Sequence, residues 1–385
     1  MIGNPLAQAL FKQLIAAGKL PEEWRSAYSA VLRETFVPTV AWAVPDGPAP
    51  GYGIDRDHDA DAWSRAVYSD ASIVTQLDGG TGDLLTGKGN PTSSLSAPRA
   101  VFNALDALGI EAGHRVFEVG TGTGWTTSLL SSRLGSRNVF SVEVDEQVAA
   151  AAAANISRAG YTPTLIVGDG ADGLPDAAPF DRVHSTCAVE TIPYAWVRDT
   201  RPGGVIVTPW TPTYGDGLLA RLVVTGDGRA FGRFPTTASY MMMRAQDRHA
   251  SWSPHHTDEA HQTTTTLDPR TIAHAPQGAA LFIASTVRDV VAFATPDADG
   301  GFSLLLAEAG RANGAWAAVD YTPDASQFEV TWFGERALWD EVSAAYFQWV
   351  AWGQPERERF GITVAPEGQF VWVDHPRHTP SMRPL

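Results

Sequence analysis

Residues 116–124 read V-F-E-V-G-T-G-T-G. Four residues that suit a buried parallel strand run into three alternating glycines, and residues 125–134 then read as the opening of a helix. Without Cβ atoms, Gly120, Gly122 and Gly124 let the backbone take left-handed angles and let a ligand come close. The spacing is G-x-G-x-G, whereas pyrophosphate-binding turns prefer G-x-G-x-x-G. Glu118, two residues before the first glycine, would repel a phosphate and suits a cation. Glu143 closes the next apolar run and lies 143 − 124 = 19 residues past the last glycine, where an acid at a strand tip can accept both hydroxyls of a ribose. A third apolar run, 165–167, delivers Gly168, Asp169 and Gly170 to the same edge. Asp169 can accept from an adenine amino group, and Val144 can pack on the ring.

These features describe a site for an adenosine that carries positive charge and no phosphate. S-adenosyl-L-methionine has that character, with S-adenosyl-L-homocysteine as its product. A nicotinamide cofactor would need the other glycine spacing. A purely structural turn would need three strand ends to coincide without purpose. A second feature is the hydroxyl-dense stretch Pro91-Thr92-Ser93-Ser94-Leu95-Ser96-Ala97-Pro98, just before a predicted helix over 99–108. Serines in such a place are often helix caps.

The elements that must position these residues alternate. Apolar runs at 139–142, 165–167, 181–186 and 205–208 are separated by helical patterns at 147–159 and 191–200, which predicts a doubly wound, mostly parallel α/β sheet with ligands at the strands' carboxyl ends. Helices are expected over 5–17 and 22–35, a loop over 45–61 and a strand or strand pair over 66–76. Beyond residue 214 the texture changes. A hairpin is expected over 218–234, antiparallel strands over 279–319 and an amphipathic helix over 336–352. The boundary is placed between domains 1–215 and 216–385, the second an α+β extension suited to substrate recognition. His249, His255, His256 and His261 match no zinc spacing, and the acids of 46–61 read as a solvated loop, so no metal is expected.

A length of 385 residues allows two domains. The formal net charge of −15 argues against a nucleic-acid partner, whose binding runs on basic surface. No apolar run approaches the roughly 20 residues of a membrane helix. The chain does not open with a basic start and apolar block, and Cys187 is the only cysteine, so a reducing cytoplasm is expected. A monomer is the expectation.

With these residues in hand the chain resembles the protein-L-isoaspartate O-methyltransferase family over roughly residues 1–212. The resemblance rests on F-V-P at 36–38, S-L-S-A-P at 94–98 where the family has T-I-S-x-P, the glycine turn, V-E at 142–143, G-D-G at 168–170, P-F-D at 179–181 and R-P-G-G at 201–204. It implies a Rossmann-like class I methyltransferase with cofactor contacts at Gly120, Thr121, Gly122, Gly124, Glu143, Asp169 and Gly170. It implies a carboxylate-binding Ser96 with Ser94 at the family's threonine, and a substrate-facing loop at 187–193 that holds Glu190 and Thr191. Y-S-D at 68–70 and the roughly 170 residues after the first domain depart from housekeeping members. Both features are similar to the subgroup that travels with ATP-grasp (graspetide) and lanthipeptide maturation. That resemblance implies methylation of an aspartate in a cyclised precursor peptide, with Ser93 and Tyr68 as further substrate contacts, and closure to an aspartimide.

Overall fold

All four residues of the strand Val116–Val119 are buried, as a strand covered on both faces must be. It lies in the first of two units of the computed structural model. Met1–Cys187, Pro193–Thr208 and Arg221–Gly228 form that unit, and Ala188–Ile192, Pro209–Ala220 and Arg229–Leu385 form the second. The structure describes residues 4–247, 257–296, 300–311 and 313–380. The chain therefore passes between units more than once, and residues 188–192 belong to the second.

The first unit opens with α1 (Pro5–Ala16), capped by Asn4, whose Oδ1 accepts from Leu6 N at 2.9 Å. The continuous helix expected over 22–35 is broken into α2 (Arg25–Ala30) and two flanking 3₁₀ turns. The break comes at Val31 and Leu32, where the backbone leaves helical angles and the buried Arg33 turns inward. Next come β1 (Val40–Pro45), β2 (Tyr52–Asp55), α3 (Ala60–Val67), β3 (Ala71–Leu77) and β4 (Pro91–Leu95). The four strands make an antiparallel sheet in the order β2-β1-β3-β4. Two expectations change here: the stretch 45–61 contains a strand, and 66–76 begins at the end of a helix capped by Asp59 before the expected strand follows as β3. The hydroxyl-dense stretch is mostly strand.

After these come α4 (Pro98–Leu108), β5 (Val116–Val119), α5 (Trp125–Leu134), β6 (Val139–Glu143), α6 (Glu146–Arg158), β7 (Thr164–Val167), β8 (Phe180–Ser185), α7 (Tyr194–Arg198) and β9 (Thr200–Trp210), the last two residues of β9 belonging to the second unit. β9, β8, β5, β6 and β7 lie side by side in that order, and all pairs are parallel. The chain winds outward from β5 through β7, then returns to β8 on the other side of β5. Winding thus reverses between β5 and β8, the switch point where doubly wound sheets take their ligands.

Then follow β10 (Leu218–Val224), β11 (Ala230–Thr237), β12 (His261–Thr265), α8 (Pro269–Ala273), α9 (Gln277–Thr286), β13 (Val290–Pro296), β14 (Phe302–Glu308), β15 (Trp316–Tyr321), β16 (Phe328–Phe333), α10 (Leu338–Ala351), β17 (Phe360–Ala365) and β18 (Gly368–Val373). In the second unit β11, β17 and β18 pair antiparallel, and a second antiparallel sheet has the order β12-β16-β15-β14-β13. Leu304, Leu306, Val319 and Val330 of this sheet share a core with Ile283 of α9 and Leu338 and Val342 of α10. Residues 279–286 are helix where strand is expected, because a short apolar run carries no period that separates the two. His249, His255 and His256 lie outside the described residues, and His261 begins β12. Among the described residues no group of three or more His, Cys, Asp or Glu could hold a metal ion, and no helix is long and apolar enough to cross a membrane.

Candidate cofactor and acceptor site

The turn after β5 is pinned to its neighbours on three sides. Gly120 N and Thr121 N donate to Val142 O at 2.9 and 3.1 Å. Gly120 has φ +88°, and a Cβ built on it would sit 2.5 Å from Thr186 Oγ1. No other residue type fits that backbone and that space. Gly124, at φ +90°, precedes α5, and a Cβ there would lie 2.6 Å from Ile156 of α6. Glu143 then closes the cradle: Oε2 accepts from Gly122 N at 2.9 Å and Oε1 from Asp145 N at 3.2 Å. Each carboxylate oxygen keeps lone-pair capacity for a ligand hydroxyl.

Beside it Val144 is 47% exposed. At the end of β7, Asp169 is exposed, and its Oδ1 accepts from Ala171 N at 2.9 Å. Gly170 packs so closely that a Cβ would meet Val119 at 2.4 Å, and its carbonyl takes the Trp196 Nε1 hydrogen bond at 2.8 Å. The ends of β5, β6 and β7 therefore share one edge. The acceptor set, an acid at the β6 tip and another after β7 around a turn that itself carries no Lys or Arg, fits a nucleoside's hydroxyls and amino group, while Arg56 and Arg158 line the cavity that reaches Gly122.

Glu118 needs correction. Its side chain has no exposed surface and lies in the interior, where Oε2 accepts from Thr127 Oγ1 and, at 2.7 Å, from Ser141 Oγ. Ser141 Oγ in turn lies 2.7 Å from Thr121 Oγ1. Burial pushes the Glu118 carboxyl up to about 7 against the lowering effect of its two hydroxyl partners. An inward acid whose carboxyl is pushed up by burial supports the turn from within and does not face a ligand.

β4 passes beside the same turn: a Cβ on Gly122 would lie 3.4 Å from Ser94 O. Side chains alternate along a strand, so Ser93 and Leu95 are buried while Ser94, and Ser96 just beyond, are partly exposed. The Ser93 hydroxyl accepts from Thr75 Oγ1 at 3.2 Å. The Ser94 and Ser96 hydroxyls make no hydrogen bond among the described residues. Neither caps α4: Arg99 N donates to Asp70 Oδ1 at 3.0 Å and Ala97 N to Ser72 Oγ at 3.2 Å. A cavity of about 910 Å³ lies on the Ser93 side of β4, with Thr75, Gln76, Ser93, Gly122, Thr123 and Gln147 in its wall, and Ser94 and Ser96 are not among its lining residues. Tyr68 is only 7% exposed, and burial together with the Glu34 charge holds its phenol well above the usual range. It is an interior residue of the N-terminal layer.

The protein-L-isoaspartate(D-aspartate) O-methyltransferase family model matches residues 52–243. A protein-L-isoaspartate O-methyltransferase of Methylorubrum extorquens is 38% identical over 168 residues, 43% of this chain and 71% of the relative. One from Methylorubrum populi is 32% identical over 225 residues, 58% of this chain and 87% of the relative. The chain belongs to the protein-L-isoaspartate O-methyltransferase family. It is an S-adenosylmethionine-dependent protein carboxyl O-methyltransferase. A solved protein-L-isoaspartate O-methyltransferase structure shares the fold at a TM-score of 0.53 and 18% identity, covering 96% of this chain and all (100%) of that one. The Rossmann-like architecture with an additional C-terminal region is thereby established.

One buried residue beside this site is not singled out by the sequence. Arg33 is 1% exposed and bridges two elements, donating to Ser96 O at 2.9 Å and to Ala71 O at 2.6 Å. Its guanidinium also lies 4.8 Å from the Trp125 ring centroid, and Trp125 follows the last glycine of the turn. Burial lowers its pKa to about 10, so it stays charged at neutral pH. One side chain thus ties the residue after β4 and the start of β3 to the start of α5. Nothing in the sequence marks it, because Arg33 stands among Arg25, Ser29, Glu34 and Thr35 in a stretch that reads as an ordinary amphipathic helix.

Glu190 and Thr191 belong to the second unit. Both backbone N–H groups donate to Gln246 Oε1 at 2.9 Å, and Glu190 O accepts from Trp210 Nε1 at 2.7 Å and Gln369 Nε2 at 2.6 Å. These bonds fix the loop's backbone within that unit.

Proposed function

We propose that this methyltransferase esterifies the side-chain carboxylate of an aspartate in a ribosomally made, macrocyclised precursor peptide. The observation that carries the reading is that the Ser94 and Ser96 hydroxyls make no hydrogen bond among the described residues, where the Ser94 carbonyl lies beside Gly122, while Asp70 and Ser72 take the capping work. When bound, the cofactor supplies a methyl group on positively charged sulfur. Glu143 would hold the ribose hydroxyls, Asp169 the adenine amino group and Val144 one face of the ring, with Gly120, Thr121, Gly122, Gly124 and Gly170 forming the cradle.

The acceptor carboxylate is already a nucleophile at neutral pH, since its unperturbed pKa is about 4. No general base is needed. What the chain must do is orient one oxygen and exclude water, and good orientation alone is worth roughly 7–11 kcal/mol. Ser94 and Ser96 are neutral donors, which aim the anion without stabilising its ground state as strongly as an arginine would. The ester then reacts within the peptide. The following residue's backbone nitrogen bonds to the ester carbonyl carbon and gives up its proton, methanol leaves, and a five-membered aspartimide results, which water can open to aspartate or isoaspartate.

Support for a specialised substrate comes from the Y-S-D departure at 68–70. A second reading, repair of isoaspartate in many proteins, is favoured by the named activity of the Methylorubrum relatives. Mass spectrometry on short linear isoaspartyl peptides and on cyclised precursor peptides encoded beside the gene separates them. Gain of one methyl followed by net loss of one water on the cyclised peptide alone is the expected result. Broad turnover of linear isoaspartyl peptides would establish repair in its place.

A further inference from the structure

The second unit contains a cavity of about 530 Å³ whose wall includes four consecutive residues of β13: Val291, Ala292, Phe293 and Ala294. Side chains of a strand alternate between faces, so a cavity reached by all four wraps around the strand's edge. β13 is the end strand of its sheet. It pairs with β14 from Val290↔Glu308 to Pro296↔Phe302, and its other side has no strand among the described residues. Alternate N–H and C=O groups of such a strand face outward and form the template for an added strand. The usual protection of an edge is weak here. The sequence V-V-A-F-A-T-P carries no charge, Phe293 is 38% exposed, and only the terminal Pro296 blunts the pairing.

The rest of the wall has a definite chemistry. Ile272 of α8 and Leu281 of α9 supply apolar surface, and Tyr214 is 5% exposed with a hydroxyl that has no hydrogen-bond partner among the described residues. The charged lining residues are Asp216 and Asp247, both acidic, and Asp216 is exposed without an ion pair among the described residues. An unpaired strand edge, an apolar pocket and an acid together select one kind of occupant. We infer that this groove binds an extended segment of the peptide substrate as an added strand on β13, with one apolar side chain against Ile272 and Leu281 and a Lys or Arg beside Asp216. The inference rests on the peptide-substrate reading above and gives the second unit its role, that of holding the substrate away from its reacting residue. A second copy of the chain is disfavoured as occupant, because its net charge of −15 would oppose the acidic lining.

The probe is a fluorescein-labelled dodecapeptide of alternating Val and Lys, titrated into the full chain without cofactor at low salt and read by anisotropy. Saturable binding is expected, weakened about tenfold or more by Phe293→Glu and by Asp216→Lys, both surface changes whose folding is checked by thermal melting. Two further versions of the probe carry N-methyl groups on all Val or on all Lys. Because an edge strand reads every second N–H, one version is expected to lose binding and the other to keep it. No binding, equal binding by both N-methylated versions, or a dimer of the free chain that Phe293→Glu dissolves in sedimentation would each overturn the inference. Binding of this kind in a protein that methylates no peptide at all would support the groove and count against the methylation reading alone.

Discussion

Replacing Glu118 by Gln changes the charge beneath the glycine turn while keeping its shape. The amide oxygen can still accept from Thr127 and Ser141, and the amide nitrogen takes the place of Oε1, which is buried without a partner. Burial holds the native carboxyl at about 7, against an ordinary 4.5. The folded state therefore binds more protons than the unfolded state between these values, and stability falls as pH rises through that window. At pH 8 the cost of ionising Glu118 is about 3 kcal/mol, and at pH 5 about 1 kcal/mol or less. Glu118→Gln is then expected to gain about 2 kcal/mol on the native protein between pH 5 and pH 8. The cost of leaving the amide N–H unpaired is the same at both pH values and drops out. His184 acts in the opposite sense, since burial lowers it to about 4 and its contribution is lost as pH falls from about 6.5, but it is common to both proteins. Native-state hydrogen exchange across β5 and β6 reads the first unit by itself, without requiring both units to unfold together. A stability difference equal at the two pH values would refute a buried, proton-sharing Glu118.

Ser96→Ala should lower kcat/KM by about 10- to 100-fold, the worth of one hydrogen bond to a charged group. Calorimetry should find S-adenosylhomocysteine affinity unchanged; full activity would remove Ser96 from the acceptor site. Glu143→Ala should do the reverse, weakening S-adenosylhomocysteine about tenfold or more through lost ribose contacts and the freed Gly122 N–H. Equal affinity in that titration would end its assignment. Gly120→Ala combines a left-handed φ of +88° with a 2.5 Å approach to Thr186 Oγ1, and a loss of about 2 kcal/mol or more is expected in urea unfolding. An unshifted midpoint would mean that the turn can relax.

The parallel sheet was legible because strands covered on both faces read as unbroken apolar runs, and three of their ends carry the glycines and acids that a nucleoside needs. β4 was not legible, since P-T-S-S-L has the composition of a turn and becomes a strand only by pairing with β3. α9 was mistaken for strand because A-A-L-F-I-A-S-T is apolar all round. The fate of Glu118 was hidden for a related reason. In a strand buried on both faces, alternation does not say which side chains reach a ligand, so an acid beside the glycines looked like a ligand contact and is an internal support. Glu143, at the strand's last position, escaped that ambiguity because the chain turns there and its carboxylate meets the glycine N–H.

Arg33 shows how the two halves of the chemistry are kept in register. The hydroxyls proposed to hold the acceptor lie on and just beyond a strand of an antiparallel sheet and the proposed cofactor cradle on a parallel one, and methyl transfer between them would demand close alignment. A guanidinium can bridge two carbonyls and lie against a ring at once, whereas an ammonium is a point charge on a flexible stem. Arg33→Lys therefore keeps the charge but loses the bridge between Ser96 O, Ala71 O and the Trp125 ring. The expected signature is a drop of about tenfold or more in kcat with S-adenosylhomocysteine affinity unchanged, because the glycine turn has its own anchors in Val142 and Glu143. Normal kcat in the Arg33→Lys protein would mean that β4 finds its place without this bridge, and that the backbone pairing of β3 with β4 alone sets the aim of Ser94 and Ser96.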